Sequence, residues 1–170
     1  YFGLKDVRLL DSPFKNAMDR NAAWMLEMDM DRLLSNFLKN AGLEPKGESY
    51  GSWESMGIAG HTLGHYLSAV SALVERYEDA GLARNLEKVV EGMYACQQAH
   101  GNGYLSAFPE TDIEVLETRF TGVWAPYYTL HKIMQGLLDV YLRTGNEKAY
   151  AMVEGLAGYV DRRMSKLDPA

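Results

Sequence analysis

The sequence has little of several features on which function often depends. Cys96 is the only cysteine among 170 residues, so this segment can build neither an intrachain disulfide nor a multi-cysteine metal site. It follows a helical pattern, and we expect a small, partly buried packing residue there. No uninterrupted apolar run approaches the roughly 18 residues that cross a bilayer. The sequence therefore gives no reason to expect a membrane partner.

Basic residues are also scarce. Lys and Arg number 17 against 23 Asp and Glu, for a net charge of −6, and no basic cluster is present. An acidic chain of this kind gives no electrostatic reason to expect nucleic acid as a partner. No signal peptide is visible, but the chain begins at Tyr1 rather than Met, so the compartment stays open.

Two motifs fall short of well-known sites. "HGNGYL" contains a lone GxG with no preceding strand, which indicates a turn rather than a phosphate loop. "HTLGH" has Thr62 where a zinc metalloprotease requires Glu, which excludes that class. The spacing of His61 and His65 would still let two imidazoles share a metal. Three roles therefore stay open for the pair: metal ligands, hydrogen-bonded structural residues, or the wall of a cavity.

What the sequence does contain is helical periodicity almost throughout. One helix is predicted from Ser12 as N-cap, with Pro13 in its first turn, to a stop at Gly42. Further helices are predicted at 57–79 and 83–100, joined at Gly81, and at 124–143 and 147–164, joined at 144–146. Residues 43–52 and "GNGYLSAFPETD" are predicted to be loops. No run of strands is evident, apart from a short extended piece, "GLKDVRLL", near the start.

The two later helical pairs resemble each other. An alignment with one gap places Tyr77 on Tyr141, Gly81 on Gly145, and "VEG" at 90–92 on "VEG" at 153–155. Self-similar helix–turn–helix units are typical of stacked or toroidal arrays, in which each unit buries its face against a neighbour. We therefore predict an all-α fold of helical hairpins, with residues 1–170 as one unit of a larger array.

The 57–77 helix has two distinct sides. One side is apolar: Leu63, Tyr66, Leu67, Val70, Leu73, Val74 and Tyr77. The other holds His61, His65, Ser68 and Ala72, without the Lys and Glu that a solvent-facing side usually carries. This histidine stripe is predicted to face something other than bulk water.

The 124–143 helix is divided in the same way. Near His131 lie Trp124, Tyr127, Tyr128, Gln135 and Leu138, and the opposite side holds Leu130, Ile133, Leu137 and Val140. Aromatic rings beside imidazole and amide groups suit a sugar, because C–H faces rest on rings and hydroxyls take hydrogen bonds. An aromatic core with one satisfied histidine is the alternative.

Carboxylates that could serve a glycosidase are scattered. Glu54 precedes the histidine helix, and Glu110 and Asp112 lie in a loop, but the sequence does not give the separation that a catalytic pair requires. A favourable interaction with the helix N-terminus is an equally good explanation for Glu54.

Five segments together carry a family resemblance. The segments are "LKDVRLLDSPFKNAMDRNAAWML", "SWES", "IAGHTLGHYLSA", "GNGYLSAFP" and "WAPYYTLHKIMQGLLDVYLRTGNEKAY". Together they resemble the N-terminal part of glycoside hydrolase family 127, which includes β-L-arabinofuranosidases. The resemblance covers essentially the whole chain, in order. It implies an (α/α)6 barrel whose inner helices line a sugar pocket, and it favours cavity roles for His131, His61 and His65.

The chemistry that the resemblance implies lies downstream of the matched region. It is a retaining reaction with a zinc-bound cysteine nucleophile, further cysteines and a Glu as zinc ligands, and a second Glu as acid/base. Cys96 is not in that cysteine motif, so we expect no catalytic residue, metal site or cofactor in this chain, and zinc in the full-length enzyme. The predicted substrate-binding residues are His131, Tyr127, Tyr128, Trp124, Gln135, His61, His65, Trp53 and Glu54.

The leading functional hypothesis is the N-terminal part of a glycoside hydrolase acting on L-arabinofuranosides or related plant cell-wall glycans. The chain would supply pocket residues but no bond-breaking groups. The resemblance implies a truncated portion of a longer periplasmic or secreted protein, whose exposed barrel edge would allow oligomers. The alternatives are a non-enzymatic hairpin scaffold that binds a peptide, and a lyase or epimerase in which Tyr127 or Tyr128 transfers protons with His131.

Overall fold

The computed structural model describes residues 2–167, which form seven α-helices and, within that range, no β-strand. The helices are α1 (Pro13–Glu27), α2 (Met30–Asn40), α3 (His61–Tyr77), α4 (Ala80–His100), α5 (Glu110–Arg119), α6 (Pro126–Thr144) and α7 (Glu147–Met164). Short 3-10 turns occupy Leu4–Asp6 and Ser52–Ser55. None of the described helices is long and apolar enough to cross a membrane. The predicted unit of residues 1–170 also includes Tyr1 and 168–170, which lie outside the described residues.

The first predicted helix is two helices. Its start is confirmed, because Ser12 caps α1 by accepting a hydrogen bond from the Lys15 amide at 3.2 Å and Pro13 is the first helical residue. The prediction that this helix continues to Gly42 is wrong. Met28 is extended, and Asp29 caps α2 by accepting from the Asp31 amide at 2.8 Å. The Asp29 carboxylate thus offers the backbone a second helix start.

The turn predicted at Gly81 is also wrong. Glu78 takes the left-handed conformation with φ of 51°, and Asp79 caps α4 by accepting from the Gly81 amide at 2.7 Å. Gly81 therefore lies inside the first turn of α4. In the second hairpin Gly145, with φ of 70°, ends α6, and Asn146 caps α7. A left-handed residue followed by Asp or Asn is what the two turns share.

Helix α5 was missed, because residues 110–112 were predicted to end a loop and no element was predicted over 113–119. Its sequence has weak apolar periodicity, and Ile113 is its one buried residue. Contacts from elsewhere hold it instead. Glu117 accepts hydrogen bonds from Arg163 Nε of α7 at 2.9 Å and from the Tyr127 hydroxyl of α6 at 2.5 Å.

Helices α3 and α6 approach each other so closely that their backbones are in contact. A Cβ on Gly64 would overlap the carbonyl oxygen of Lys132, and a Cβ on Gly136 would overlap the carbonyl oxygen of Gly64. Further along, Arg143 pairs with Glu75 at 2.8 Å. The two helices therefore run parallel in direct backbone contact, which places their N-terminal ends side by side.

Helices α2, α4 and α7 form a second layer over α3 and α6. Lys88 of α4 pairs with Asp31 of α2 at 2.8 Å, and Lys148 of α7 pairs with Glu91 of α4 at 2.5 Å. The core lies between the layers and includes Tyr66, Leu67, Val70, Val90, Met93, Ile133, Leu137, Val140, Met152 and Leu156. Cys96 belongs to this core, and burial raises the pKa of its thiol to about 12.

Candidate functional site

Four ring side chains from three segments meet at the N-terminal ends of α3 and α6. The ring of His61 lies 5.6 Å from Trp53, 6.0 Å from His65 and 6.3 Å from Tyr128, measured between centroids. His65 Nε2 is 3.3 Å from the Tyr128 hydroxyl. We call Trp53, His61, His65 and Tyr128 the ring cluster. The close crossing of α3 and α6 is what brings Tyr128 to the two histidines.

A backbone carbonyl group fixes the ring of His61. It is buried, and its Nδ1 lies 2.7 Å from the Ile58 carbonyl oxygen, so Nδ1 carries the proton and donates it. The rings of His61 and His65 meet edge to face at 89°. Among residues 2–167, no group of three or more His, Cys, Asp and Glu side chains could hold a metal ion. The Ile58 carbonyl therefore fixes the tautomer and the orientation of the buried His61 ring.

The Glu54 carboxylate accepts hydrogen bonds from backbone amides at the start of α3. Its side chain is buried, Oε2 accepts from the Gly60 amide at 2.7 Å, and Oε1 accepts from the Thr62 amide at 3.4 Å. Gly60 is the N-cap and has no side chain to satisfy these amides. His61 Nδ1 is 3.5 Å from Oε1. The carboxylate therefore caps and orients α3, the role that the helix N-terminus argument gave it.

His65 presents its ring to the surface. Partial desolvation lowers the pKa of its imidazole, and the nearby charges of Lys132 and His61 lower it further. The Lys132 ammonium lies 5.2 Å from the centroid of the Tyr128 ring. The lowered pKa favours the neutral imidazole, which can both accept and donate hydrogen bonds.

Two adjoining cavities open beside the ring cluster. The larger, of about 460 Å³, is lined by Trp24, Glu27, Met28, Tyr50, Gly51, Ser52, Trp53, Glu54 and Thr62. The smaller, of about 330 Å³, is lined by Trp24, Met25, Met28, Thr62, His65, Tyr66 and Ala69. Trp24, Met28 and Thr62 line both cavities, which we together call the trough. Trp53 and His65 connect it to the ring cluster.

The remaining predicted contacts lie on α6, except for Trp124, which precedes that helix. His131, Tyr127 and Gln135 line a separate groove of about 250 Å³ that is closed on its far side by Val153 and Val160 of α7. The Tyr127 hydroxyl is engaged by Glu117, and Gln135 donates to Asp139 at 3.1 Å. Trp124 is exposed and packs against Gly57 in the loop before α3. The structure thus divides the predicted set between the ring cluster with its neighbour Glu54, this α6–α7 groove, and Trp124 in the loop before α6.

Sequence reasoning missed Trp24, Tyr50 and Thr62. Trp24 lies on α1, which reaches the trough because α1 packs against α3, where the Tyr66 hydroxyl lies 3.5 Å from the Met25 carbonyl oxygen. Thr62 lies between the two histidines and was considered only as a missing Glu. An exposed tryptophan inside an amphipathic helix was the signal for Trp24, but nothing in the sequence paired it with α3.

The chain matches the family model described as the β-L-arabinofuranosidase GH127 catalytic domain over residues 6–170. It belongs to glycoside hydrolase family 127. No curated protein matches the chain. The family resemblance seen in the sequence is therefore confirmed.

A solved structure of a GH127 β-L-arabinofuranosidase from Geobacillus stearothermophilus T6 resembles this GH127 chain with a TM-score of 0.68 at 20% identity. The match covers 96% of this chain and 26% of that one, so the chain spans about a quarter of the length of the solved structure. At this identity the likeness shows the fold. The helical hairpins are part of an (α/α)6 barrel, as predicted.

The zinc site implied by the family resemblance does not fit the described residues of this GH127 chain. That site requires a cysteine nucleophile and further cysteine ligands. Cys96 is fully buried between helices, and the raised pKa keeps its thiol protonated. No other cysteine is present in the sequence. No step of a reaction can therefore be assigned to a metal held by residues 2–167.

Proposed function

We propose that the chain supplies part of the sugar-binding wall of a glycoside hydrolase acting on L-arabinofuranosides or related plant cell-wall glycans. The bond-breaking groups, and the zinc that they use, would come from other parts of the enzyme. Carbohydrate containing L-arabinose would be the partner. The ring cluster beside the trough is the observation that carries this proposal.

The ring cluster has the composition of a sugar contact. Trp53 is 58% exposed and Tyr128 is 43% exposed, so both rings offer a face to the C–H groups of a sugar. The neutral His65 and the Tyr128 hydroxyl lie 3.3 Å apart and can share hydrogen bonds with adjacent sugar hydroxyls. Buried His61 and Glu54 hold these groups in place, which reduces the entropy lost on binding.

His131 stays a predicted contact of a second kind. It is exposed on α6, on the side of the groove with Tyr127 and Gln135, rather than in the ring cluster. Because His131 lies one turn after Tyr128 on α6, a substrate that leaves the ring cluster across α6 would meet it next.

Calorimetric titration of variants tests the ring cluster and His131 separately. We expect the chain to bind methyl β-L-arabinofuranoside and His65→Ala to weaken binding about tenfold, because one partner of the His65–Tyr128 pair is removed. His131→Ala should weaken binding less if the first sugar ring lies in the ring cluster. Equal affinity of the parent chain and the His65→Ala variant would contradict the assignment of the ring cluster.

The two alternatives make different predictions in the same experiment. A peptide-binding scaffold should show no affinity for the glycoside. The lyase or epimerase alternative pairs a tyrosine hydroxyl with His131, but the Tyr127 hydroxyl contacts Glu117 and the Tyr128 hydroxyl contacts His65. The geometry of these tyrosines therefore gives that alternative no support.

A further inference from the structure

We infer that Asn36 of α2 is a positioning residue for the ring cluster, because its side-chain amide fixes the turn that carries Trp53. The consequence for sugar binding rests on the proposed function. Asn36 lies outside the ring cluster and lines neither cavity of the trough, so it acts through Trp53 rather than on a ligand. Its role is to keep the Trp53 ring beside His61 when no sugar is bound.

The loop before the Trp53 turn has little support of its own. Residues 44–50 make no backbone-to-backbone hydrogen bond within the part of the chain that the structure describes. The Trp53 side chain is 58% exposed, and its ring lies 5.6 Å from that of His61. Backbone groups without backbone partners need side chains or water instead. The position of Trp53 therefore depends on contacts with other elements.

One side of α2 supplies these contacts. Asp29 at the N-cap, Arg32 and Asn36 follow at intervals of three and four residues and therefore share one face of the helix. The Asp29 amide donates to the Tyr50 hydroxyl at 3.0 Å, and Arg32 Nε donates to the Glu48 carbonyl oxygen at 3.1 Å. The Arg32 guanidinium also lies 4.0 Å from the centre of the Tyr50 ring. The first part of the loop is thus bound to α2.

Asn36 extends this binding to the turn itself. Its Nδ2 donates to Ser49 Oγ at 2.9 Å and to the Glu54 carbonyl oxygen at 2.7 Å. The Ser49 hydroxyl in turn donates to the Tyr50 carbonyl oxygen at 2.9 Å. A carbonyl oxygen can only accept, so the amide nitrogen of Asn36 must face Glu54, and both of its N–H groups are used. One side chain therefore bridges residues 49–54 and fixes them on α2.

The segment that Asn36 bridges contains a strained residue. Ser52 has φ of 59°, a left-handed conformation that is uncommon for residues other than glycine. Such conformations persist where surrounding contacts fix them. Ser52 lies between the two residues that accept from Asn36, and Trp53 follows it directly. Loss of the amide would therefore let the turn relax and let the Trp53 ring leave its place beside His61.

Relaxation of the indole N–H groups, measured by NMR, tests the positioning without a sugar. We expect the order parameter of the Trp53 indole to fall in Asn36→Ala, because the turn loses both hydrogen bonds to this side chain. The Trp24 indole on α1 is the internal reference and should not change. Asn36→Asp keeps the shape of the side chain but cannot donate, so it should mobilise Trp53 as Asn36→Ala does.

Asn40→Ala is the matched control. Asn40 lies one turn further along α2, and its Nδ2 donates to the Ser106 carbonyl oxygen at 3.1 Å instead of to the loop. Its replacement removes a hydrogen bond of the same kind and should leave the Trp53 indole unchanged. Ser49→Ala removes one of the two acceptors of Asn36 and should produce part of the effect. Urea denaturation checks that each variant is folded.

Calorimetric titration with methyl β-L-arabinofuranoside tests the consequence for binding. We expect Asn36→Ala to weaken binding about fivefold, because a mobile Trp53 loses more freedom when the sugar binds. In a chain that already carries Trp53→Ala, the same substitution should have no further effect, since the ring through which it acts is absent. Asn40→Ala should bind as the parent chain does.

The outcomes distinguish a positioning role from a purely structural one. An unchanged Trp53 order parameter in both Asn36→Ala and Asn36→Asp would overturn the positioning role. A mobile Trp53 with unchanged affinity would also overturn it, and so would equal weakening by Asn36→Ala with and without the Trp53 ring. If the parent chain binds no glycoside, the proposed function fails, and relaxation still decides whether Asn36 fixes the Trp53 turn.

Discussion

Glu54 acts on the ring cluster through the backbone of α3. Its two oxygens accept from the amides of Gly60 and Thr62, and its own carbonyl oxygen accepts from Asn36 Nδ2 at 2.7 Å. The turn that carries Trp53 is thereby joined to the helix that carries His61. A buried carboxylate beside two histidines suggests catalysis, but here its lone pairs are directed at amides of the helix start.

Removing the charge of Glu54 should therefore reduce stability. Glu54→Gln leaves one of the two amides without an acceptor oxygen and removes a negative charge from a helix N-terminus. We expect the free energy of unfolding to fall by about 1–3 kcal/mol, measured by urea denaturation. Glu44→Gln, at an exposed position in the same loop, is the control and should change it by less than about 0.5 kcal/mol. Equal effects of the two substitutions would contradict the capping role.

His65 should titrate below the ordinary histidine range. Its pKa is lowered by desolvation first and by Lys132 and His61 next, so Lys132→Gln should raise it. NMR titration of the His65 ring measures both values, with Lys39→Gln on α2 as the control that should leave it unchanged. A His65 pKa that is above 6.5, or that Lys132→Gln does not move, would contradict this electrostatic arrangement.

The same shift has a consequence for stability. The unfolded chain binds a proton at His65 more readily than the folded chain does. The contribution of His65 to the free energy of unfolding is therefore complete above the ordinary histidine pKa. It is lost as the pH falls through the lower folded-state value. Acid should therefore destabilise the parent chain more than a His65→Asn variant.

At the scale of the helices, the position of the site depends on the crossing of α3 and α6. Gly64 and Gly136 lie where each backbone meets the other, so no side chain fits between them. This contact sets the register that brings Tyr128 to His65. Two glycines inside helices would otherwise be unfavourable, by about 1 kcal/mol each relative to alanine.

Gly64→Ala should therefore destabilise the fold although it improves helix propensity. The new Cβ would overlap backbone atoms of Lys132 and Ile133, which cannot move aside as a flexible side chain can. We expect a loss of about 1–3 kcal/mol in thermal or urea unfolding. Gly158→Ala on α7 is the matched control, since its Cβ would meet only Arg162 Nη1 at 3.4 Å. That variant should gain up to about 1 kcal/mol. Similar results for both would show that the crossing is not tight.

The apolar periodicity of the sequence predicted the bounds of some helices and missed others, and each case has a physical reason. Helix α7 was predicted with its observed bounds, because Asn146 and the apolar stripe agree. The break between α1 and α2 was missed because the apolar pattern continues past Asp29 and hides the cap. Helix α5 was missed because its stability comes from Glu117 and its partners on α6 and α7, which sequence spacing does not show.

At the scale of the whole molecule, the sequence pattern could group candidate residues only along single helices. The stripe of His61 and His65 and the aromatic side of α6 could be deduced from periodicity alone. That Tyr128 contacts His65 while His131 lies in another groove depends on the rotation of α6 against α3. The position of Trp24 in the trough depends on a contact between α1 and α3 that is distant in sequence.

The 170-residue chain alone should not hydrolyse a chromogenic β-L-arabinofuranoside. Cleavage of a glycosidic bond needs an acid group and a nucleophile or base on either side of it. Near the trough the carboxylate of Glu54 is engaged by backbone amides, which leaves Glu27 as the accessible acid, and the Cys96 thiol is buried and protonated. The release of chromophore should therefore equal that of buffer, with a full-length GH127 β-L-arabinofuranosidase as the positive control. Turnover by the isolated chain that Glu27→Gln or Glu54→Gln abolishes would place the bond-breaking groups within it and contradict the proposed division of roles.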